Sequence, residues 1–158
     1  DGSYLMLSAD LITSIQEGYK LTIVLMDNRG FKSIGSLSRS VGDQGFGTRY
    51  VYPKNGAFPS DVDGEQVNDL PVDLPMNARS LGAHVIECNG YAELTNALAA
   101  AKTIDHTVVI YVPNDRYVGV PGYHSWWDVP VAETSTADSV RAAREEWEEM
   151  RTKERHFL

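Results

Sequence analysis

Two short, largely apolar runs, at residues 21–26 and 107–112, and a strand-like segment at 84–87 alternate along the chain with stretches whose apolar residues recur at helical spacing, and this alternation is what most limits the fold. Side chains along a strand point to opposite faces of a sheet, so a run that stays apolar at successive positions is buried on both faces. The run at 21–26 is interrupted only by Thr22 and lies between Lys20 and Asp27, which predicts such a strand. Strands of this kind pair in parallel, and parallel pairs need crossover helices to carry the chain back. The expected fold class is therefore α/β: a parallel sheet with helices on both faces.

The helical stretches have recognisable ends. Leu7, Leu11, Ile12 and Ile15 fall on one face before Gly18, a residue type that closes helices. Asp73 is placed to cap a helix that runs through Leu81 and ends at Gly82. Residues 91–102 form an Ala-rich helix with Leu94, Leu98 and Ala101 expected on one face. Between residues 27 and 70 the periodicity fails and glycines and prolines accumulate, the pattern of a long functional loop. Pro113 ends the last strand, and residues 117–130 bring together Tyr123, His124, Trp126 and Trp127. Beyond them Val140, Ala143, Trp147 and Met150 repeat at spacings of three and four, the stripe of an amphipathic C-terminal helix. Arg141 with Glu145 and Arg144 with Glu148 are spaced for ion pairs of roughly 0.3 kcal/mol each. The reading is a domain over 1–113 followed by a C-terminal helical arm over 114–158 that packs on the domain or on a partner subunit.

Charge and cysteine content remove several function classes. A net charge of −8 argues against nucleic acid or an anionic membrane surface as partner, and no apolar run approaches the roughly 20 residues of a membrane span. The single Cys88 permits no internal disulfide and reads as a small buried residue, which suits a reducing, cytoplasmic setting. The chain opens on Asp1 inside what reads as a motif, so residues upstream of it are expected.

That motif carries the chemistry. Asp1 and Asn28 offer hard oxygen donors of the kind magnesium takes, and each is expected just past the C-terminal end of a parallel strand, where α/β sheets bind ligands. Gly2 lets a backbone approach a diphosphate closely, while Ser3 and the amides of the following helix can donate to its oxygens. Gly30 can turn a carbonyl toward a metal with no side chain in the way.

Asp1-Gly2-Ser3, the 27-position step to Asn28 and the glycine two further on resemble the diphosphate motif of thiamine diphosphate enzymes. The family pattern carries a glycine before the aspartate, which this sequence does not show. The resemblance implies thiamine diphosphate and Mg²⁺ as cofactors, with Asp1, Asn28 and Gly30 on the metal and Asp1, Gly2, Ser3, Asn28 and Gly30 around the cofactor. Residues 27–31 (Asp-Asn-Arg-Gly-Phe), 33–38 (Ser-Ile-Gly-Ser-Leu-Ser) and 124–133 are similar, more narrowly, to the trihydroxycyclohexanedione hydrolases of inositol catabolism. That likeness implies hydrolytic C–C cleavage of a cyclic 1,2-diketone by a homo-oligomer. A neighbouring subunit then supplies the pyrimidine-binding domain with its activating glutamate, so no catalytic residue is assigned to this chain and the isolated chain is expected to be inactive.

Two other readings compete: a decarboxylase or carboligase like acetolactate synthase, and a non-catalytic α/β assembly module. A dinucleotide site is disfavoured because the first turn holds Gly2 alone where three glycines are needed. Arg29, Lys32, Arg39 and Arg49 lie where an anionic or polyhydroxylated substrate would meet them, although solubility explains them equally well. His84 is expected as a satisfied core or sheet-edge histidine, His106 and His156 as loop and tail residues, and His124 with its aromatic neighbours as a structural plug.

Overall fold

The computed structural model describes residues 1–45, 47–59, 61–120 and 129–154. Residues 1–31 and 69–116 form one compact unit, and residues 32–68 with the chain from Tyr117 onward form a second, so the contacts divide the chain differently from a cut at Pro113.

The first unit is built on a parallel sheet of β1 (Thr22–Asp27), β2 (His84–Glu87) and β3 (Val108–Pro113) in the order β1-β3-β2. Around it stand α1 (Gly2–Leu7), α2 (Asp10–Gln16), α4 (Leu74–Ser80) and α5 (Tyr91–Ala101); α3 (Lys32–Ser40) and α6 (Asp138–Arg151) belong to the second unit. β3 is the central strand and is covered on both sides. Val109 packs with Leu11, Leu25, Leu74, Ala78 and Ala83 on one face. Val108, Ile110 and Val112 pack with Cys88, Ala97 and Ala101 on the other. Alternate residues of one strand thus belong to two separate cores, which is why its sequence is apolar without interruption. Burial, reinforced by the charge of Glu93, pushes the Cys88 thiol above its ordinary pKa, and the residue is the inert buried cysteine expected.

β1 departs from expectation. Leu25 and Asp27 are buried, but Val24 and Met26 are 41% and 43% exposed, so only one face of this strand is covered. The reason is its place at the end of the sheet order, with α5 lying over β3. The helix before β1 is also two helices, α1 and α2, and its stripe is only partly buried: Leu11 is enclosed while Leu7, Ile12 and Ile15 are exposed. On α5 the buried face is Leu94, Ala97 and Ala101, with Leu98 outside it. Asp73 caps α4 as expected, accepting from the Met76 amide at 2.7 Å, and Gly82 takes the left-handed φ of +95° that ends it. His84 and His106 are exposed on the surface, their rings edge to face at 5.9 Å.

In the second unit, α3 lies inside the segment that the sequence predicts as a long loop. Gly35 is its one buried residue, and a Cβ there would stand 2.5 Å from Thr48 Oγ1, so the helix is seated by the absence of a side chain. Asp61, 1% exposed, gathers Lys32, Arg39 and Arg49 around its carboxylate at 3.8–3.9 Å. On α6, Val140 is buried and Arg144 pairs with Glu148 at 2.7 Å as spaced. Arg141 turns instead to Asp138 and to the Ser135 carbonyl. Trp147 is flanked by Arg144 and Arg151, 4.5 and 5.0 Å from its ring. His124, Trp126, Trp127 and His156 lie outside the described residues.

Leu74 is 1% exposed in the core shared by α2, α4 and the sheet. Leu74→Ala is expected to lower the unfolding free energy by about 2–5 kcal/mol, read as a fall in the urea midpoint at unchanged slope. A midpoint equal to that of the unmodified chain would show that this face is not a packed core.

Candidate functional site

The site is assembled at the C-terminal ends of β1 and β3. At the head of α1, Asp1 acts as the N-cap, its Oδ1 accepting from the Gly2 amide at 2.8 Å. Its Oδ2 reaches across to the turn after β1 and accepts from the amides of Asn28 at 3.2 Å and Gly30 at 2.8 Å. The Asp1 backbone nitrogen donates to the Met26 carbonyl at 2.7 Å. One residue is therefore tied to its own helix by one carboxylate oxygen and to a turn far along the chain by the other. Gly30 is buried and Asn28 half-buried.

The turn has a second anchor beneath it. Asp27, 2% exposed, accepts from the Tyr111 hydroxyl at 2.7 Å through Oδ2 and from the Arg29 amide at 2.8 Å through Oδ1. Arg29 carries φ of +63°, a left-handed conformation that costs a residue with a Cβ about 1–2 kcal/mol. Its guanidinium forks onto the carbonyls of Leu70 at 2.7 Å and Val72 at 2.8 Å, which offsets that cost and pins the turn to the segment leading into α4. Burial first, and then the hydrogen bond to Asp27 and its negative charge, hold the Tyr111 phenol well above its ordinary pKa. It is a proton donor throughout the physiological range.

On the far side of the turn, Arg116 is 8% exposed and donates from one guanidinium nitrogen to both the Asn28 carbonyl, at 3.2 Å, and Asn28 Oδ1, at 3.4 Å. The Asn114 amide donates to the Asp27 carbonyl at 2.9 Å, so the strand pairing continues beyond β3 and delivers Arg116 to this place.

Asp1, Asn28 and Gly30 are thus brought together. Gly2 is buried, but a Cβ there would stand 2.5 Å from the Phe31 ring, so the space opened by this glycine receives an aromatic side chain. Ser3 is exposed and, with Asp1, Tyr4 and Leu7, lines a largely apolar cavity of about 420 Å³ that runs along β1. Asp27, Tyr111 and Arg116 join the site without any signal in the sequence to mark them. Asp27 stands there as a strand boundary, Tyr111 as part of an apolar run, and Arg116 has no local pattern around it.

Among the described residues no three histidine, cysteine or acidic side chains cluster as an all-protein metal cage. The donors at the turn are instead one carboxylate, one side-chain amide and backbone carbonyls, all hard oxygens. That set matches an ion that keeps part of its coordination for phosphate oxygens and water, as Mg²⁺ does.

The model of the thiamine pyrophosphate enzyme C-terminal TPP-binding domain matches residues 1–112. Over 143 residues, 90% of this chain, it is 36% identical to a 3D-(3,5/4)-trihydroxycyclohexane-1,2-dione hydrolase of Clostridium botulinum (strain Alaska E43 / Type E3). It is equally similar to the protein of that name from Geobacillus thermodenitrificans (strain NG80-2), and 34% identical over 145 residues to one from Bacillus cereus (strain AH820). The chain spans 22% of the length of each of these relatives.

Tyr111→Phe removes one donor from a buried carboxylate, and the expected loss is about 1.5–3 kcal/mol of unfolding free energy. A phenol whose pKa is raised on folding contributes its stability in full below the unfolded value of about 10 and loses it as pH rises toward the folded value. The gap between variant and parent in denaturant titrations is therefore expected to be level from pH 7 to 9 and to close only above about 10. A gap that already shrinks between pH 7 and 9 contradicts the assignment.

Proposed function

This chain belongs to the thiamine pyrophosphate enzymes through their C-terminal TPP-binding domain, and on that premise we propose that it holds the diphosphate and the magnesium ion in a thiamine diphosphate-dependent hydrolase that opens a cyclic 1,2-diketone by breaking a carbon–carbon bond. The substrate class rests on the relatives, whose names specify 3D-(3,5/4)-trihydroxycyclohexane-1,2-dione. The pathway is then inositol catabolism and the compartment the cytoplasm. No helix of the described residues is long and apolar enough to cross a membrane.

The observation that carries the proposal is the convergence of the Asp1 carboxylate on the amides of Asn28 and Gly30, residues 27 and 29 positions away. In this reading the Asp1 side chain, the Asn28 side-chain oxygen and the Gly30 carbonyl are the protein's ligands to Mg²⁺. Ser3 offers a hydroxyl beside Asp1 for the diphosphate. The Gly2 amide is engaged by Asp1 Oδ1, so its part is to fix the carboxylate, and its missing side chain admits Phe31. Asp27, Arg29 and Tyr111 keep the turn that carries Asn28 and Gly30 in one conformation. Thiamine diphosphate, when bound, supplies the nucleophilic carbon and the electron sink for bond cleavage. The glutamate that activates it comes from a pyrimidine-binding domain of a neighbouring subunit in a homo-oligomer, so the catalytic groups proper lie outside this chain.

The full-length protein is expected to consume the cyclic dione in the presence of thiamine diphosphate and Mg²⁺, to stop on chelation, and to leave pyruvate untouched. Asp1→Ala and Asn28→Ala are each expected to lower the rate by on the order of 100-fold, with calorimetric titration reading a parallel loss of Mg²⁺ and cofactor binding. Turnover of pyruvate with no turnover of the dione favours the acetolactate synthase-like decarboxylase or carboligase. Absence of any cofactor binding favours the assembly module.

A further inference from the structure

We propose that Arg116 is the resident counter-cation of this site: it holds the oxygens of Asn28 and must release them for a divalent cation to bind, so that cation uptake and displacement of Arg116 are a single exchange. The inference rests on the reading of Asn28 as a magnesium ligand, and it adds a residue that neither the family motif nor the spacing of Asp1, Asn28 and Gly30 brings in.

The geometry points to competition at one atom. Asn28 Oδ1, the oxygen proposed for the metal, accepts from Arg116 Nη1 at 3.4 Å, and the same nitrogen donates to the Asn28 carbonyl at 3.2 Å. Asn28 also gives its backbone amide hydrogen to Asp1 Oδ2, so the arginine and the aspartate both hold the residue. Arg116 is enclosed, at 8% exposure, and two residues before it the Asn114 amide donates to the Asp27 carbonyl. A guanidinium in this position is not a loose surface charge that salt would screen.

The chemistry of arginine turns this placement into a switch. A lysine or histidine beside an incoming dication can relieve the repulsion by giving up its proton. Arginine cannot, because its delocalised guanidinium does not give up a proton in proteins. The only way to lower the like-charge repulsion is for the side chain to leave Asn28 Oδ1. Until a cation arrives, Arg116 holds the carbonyl and Oδ1 of Asn28 through one guanidinium nitrogen. The site is therefore pre-shaped but self-occupied, and its affinity is reduced by the fraction of time that Arg116 is in place.

The test is calorimetric titration of the full-length protein with Mg²⁺ at saturating thiamine diphosphate, comparing the parent with Arg116→Met and Arg116→Lys. Arg116→Met keeps the apolar stem and removes the charge and the donors. It is expected to bind Mg²⁺ about tenfold more tightly and, in EDTA, to melt at a lower temperature, because Asn28 has lost its holder. Arg116→Lys keeps the charge without the planar fork and is expected to bind about threefold more tightly. If Arg116→Met does not fold, the lysine variant decides the matter alone. Affinity that is unchanged or weaker in the variants overturns the exchange, since a purely structural arginine can only weaken the site when removed. If neither the parent nor the variants take up Mg²⁺, the metal-site reading itself fails; equal uptake by all three leaves that reading standing and removes only the role of Arg116.

Discussion

One carboxylate organises the C-terminal end of β1 and the turn beyond it. Asp1 sits at the start of a short helix, and its two oxygens accept from three backbone amides, one on its own helix and two on the turn beyond β1. A turn that leaves a strand and doubles back has amides with no partner in the ladder, and amides of this kind need an acceptor when enclosed. Asp1 supplies that acceptor from a position remote in sequence. The helix start, the strand end and the turn that presents Asn28 and Gly30 then become one rigid corner. Asp27 repeats the device one layer below, with Tyr111 and the Arg29 amide as its donors. Two carboxylates thus hold a segment whose left-handed Arg29 is braced in addition by its own guanidinium on the Leu70 and Val72 carbonyls.

Much of this is legible in the sequence because it depends on local pattern. The central strand announces itself through Val108, Val109, Ile110 and Val112, since both of its faces are buried. Asp73 and Gly82 mark the ends of α4 through capping chemistry that acts over three or four residues. The step from Asp1 to Asn28 and Gly30 is visible as spacing, and the three residues do meet. What escapes is set by position in the sheet or by distant partners. Whether Val24 and Met26 are covered depends on which strand stands outermost, and their own neighbours in sequence do not record it. On α5 the core positions are taken by Ala97 and Ala101 while Leu98 stays exposed, a choice of face set by how the helix lies on β3. α3 leaves its apolar residues Ile34 and Leu37 exposed and is seated by Gly35 against Thr48, a long-range fit that the sequence does not announce.

The roles of the charged residues are the hardest to read in advance. In sequence Arg29 groups with Lys32, Arg39 and Arg49 as a reception for substrate, yet its guanidinium serves two backbone carbonyls. The other three surround Asp61, which nothing in the sequence singles out. A buried carboxylate with several basic neighbours fixes a glycine-rich segment where hydrophobic packing is sparse. Charge that looks like solvent-facing decoration in one dimension becomes an internal fastening in three.

The exposed flank of β1 has a practical meaning for anyone handling this polypeptide by itself. Leu21, Val24 and Met26 present oily surface beside the outermost strand of the sheet, with no proline, bulge or lysine within the strand to discourage pairing. Such a margin is a template for strand addition. At the concentrations used for crystallisation or magnetic resonance, a charged replacement at Val24, which lies outside both core clusters, is the change expected to keep preparations dispersed.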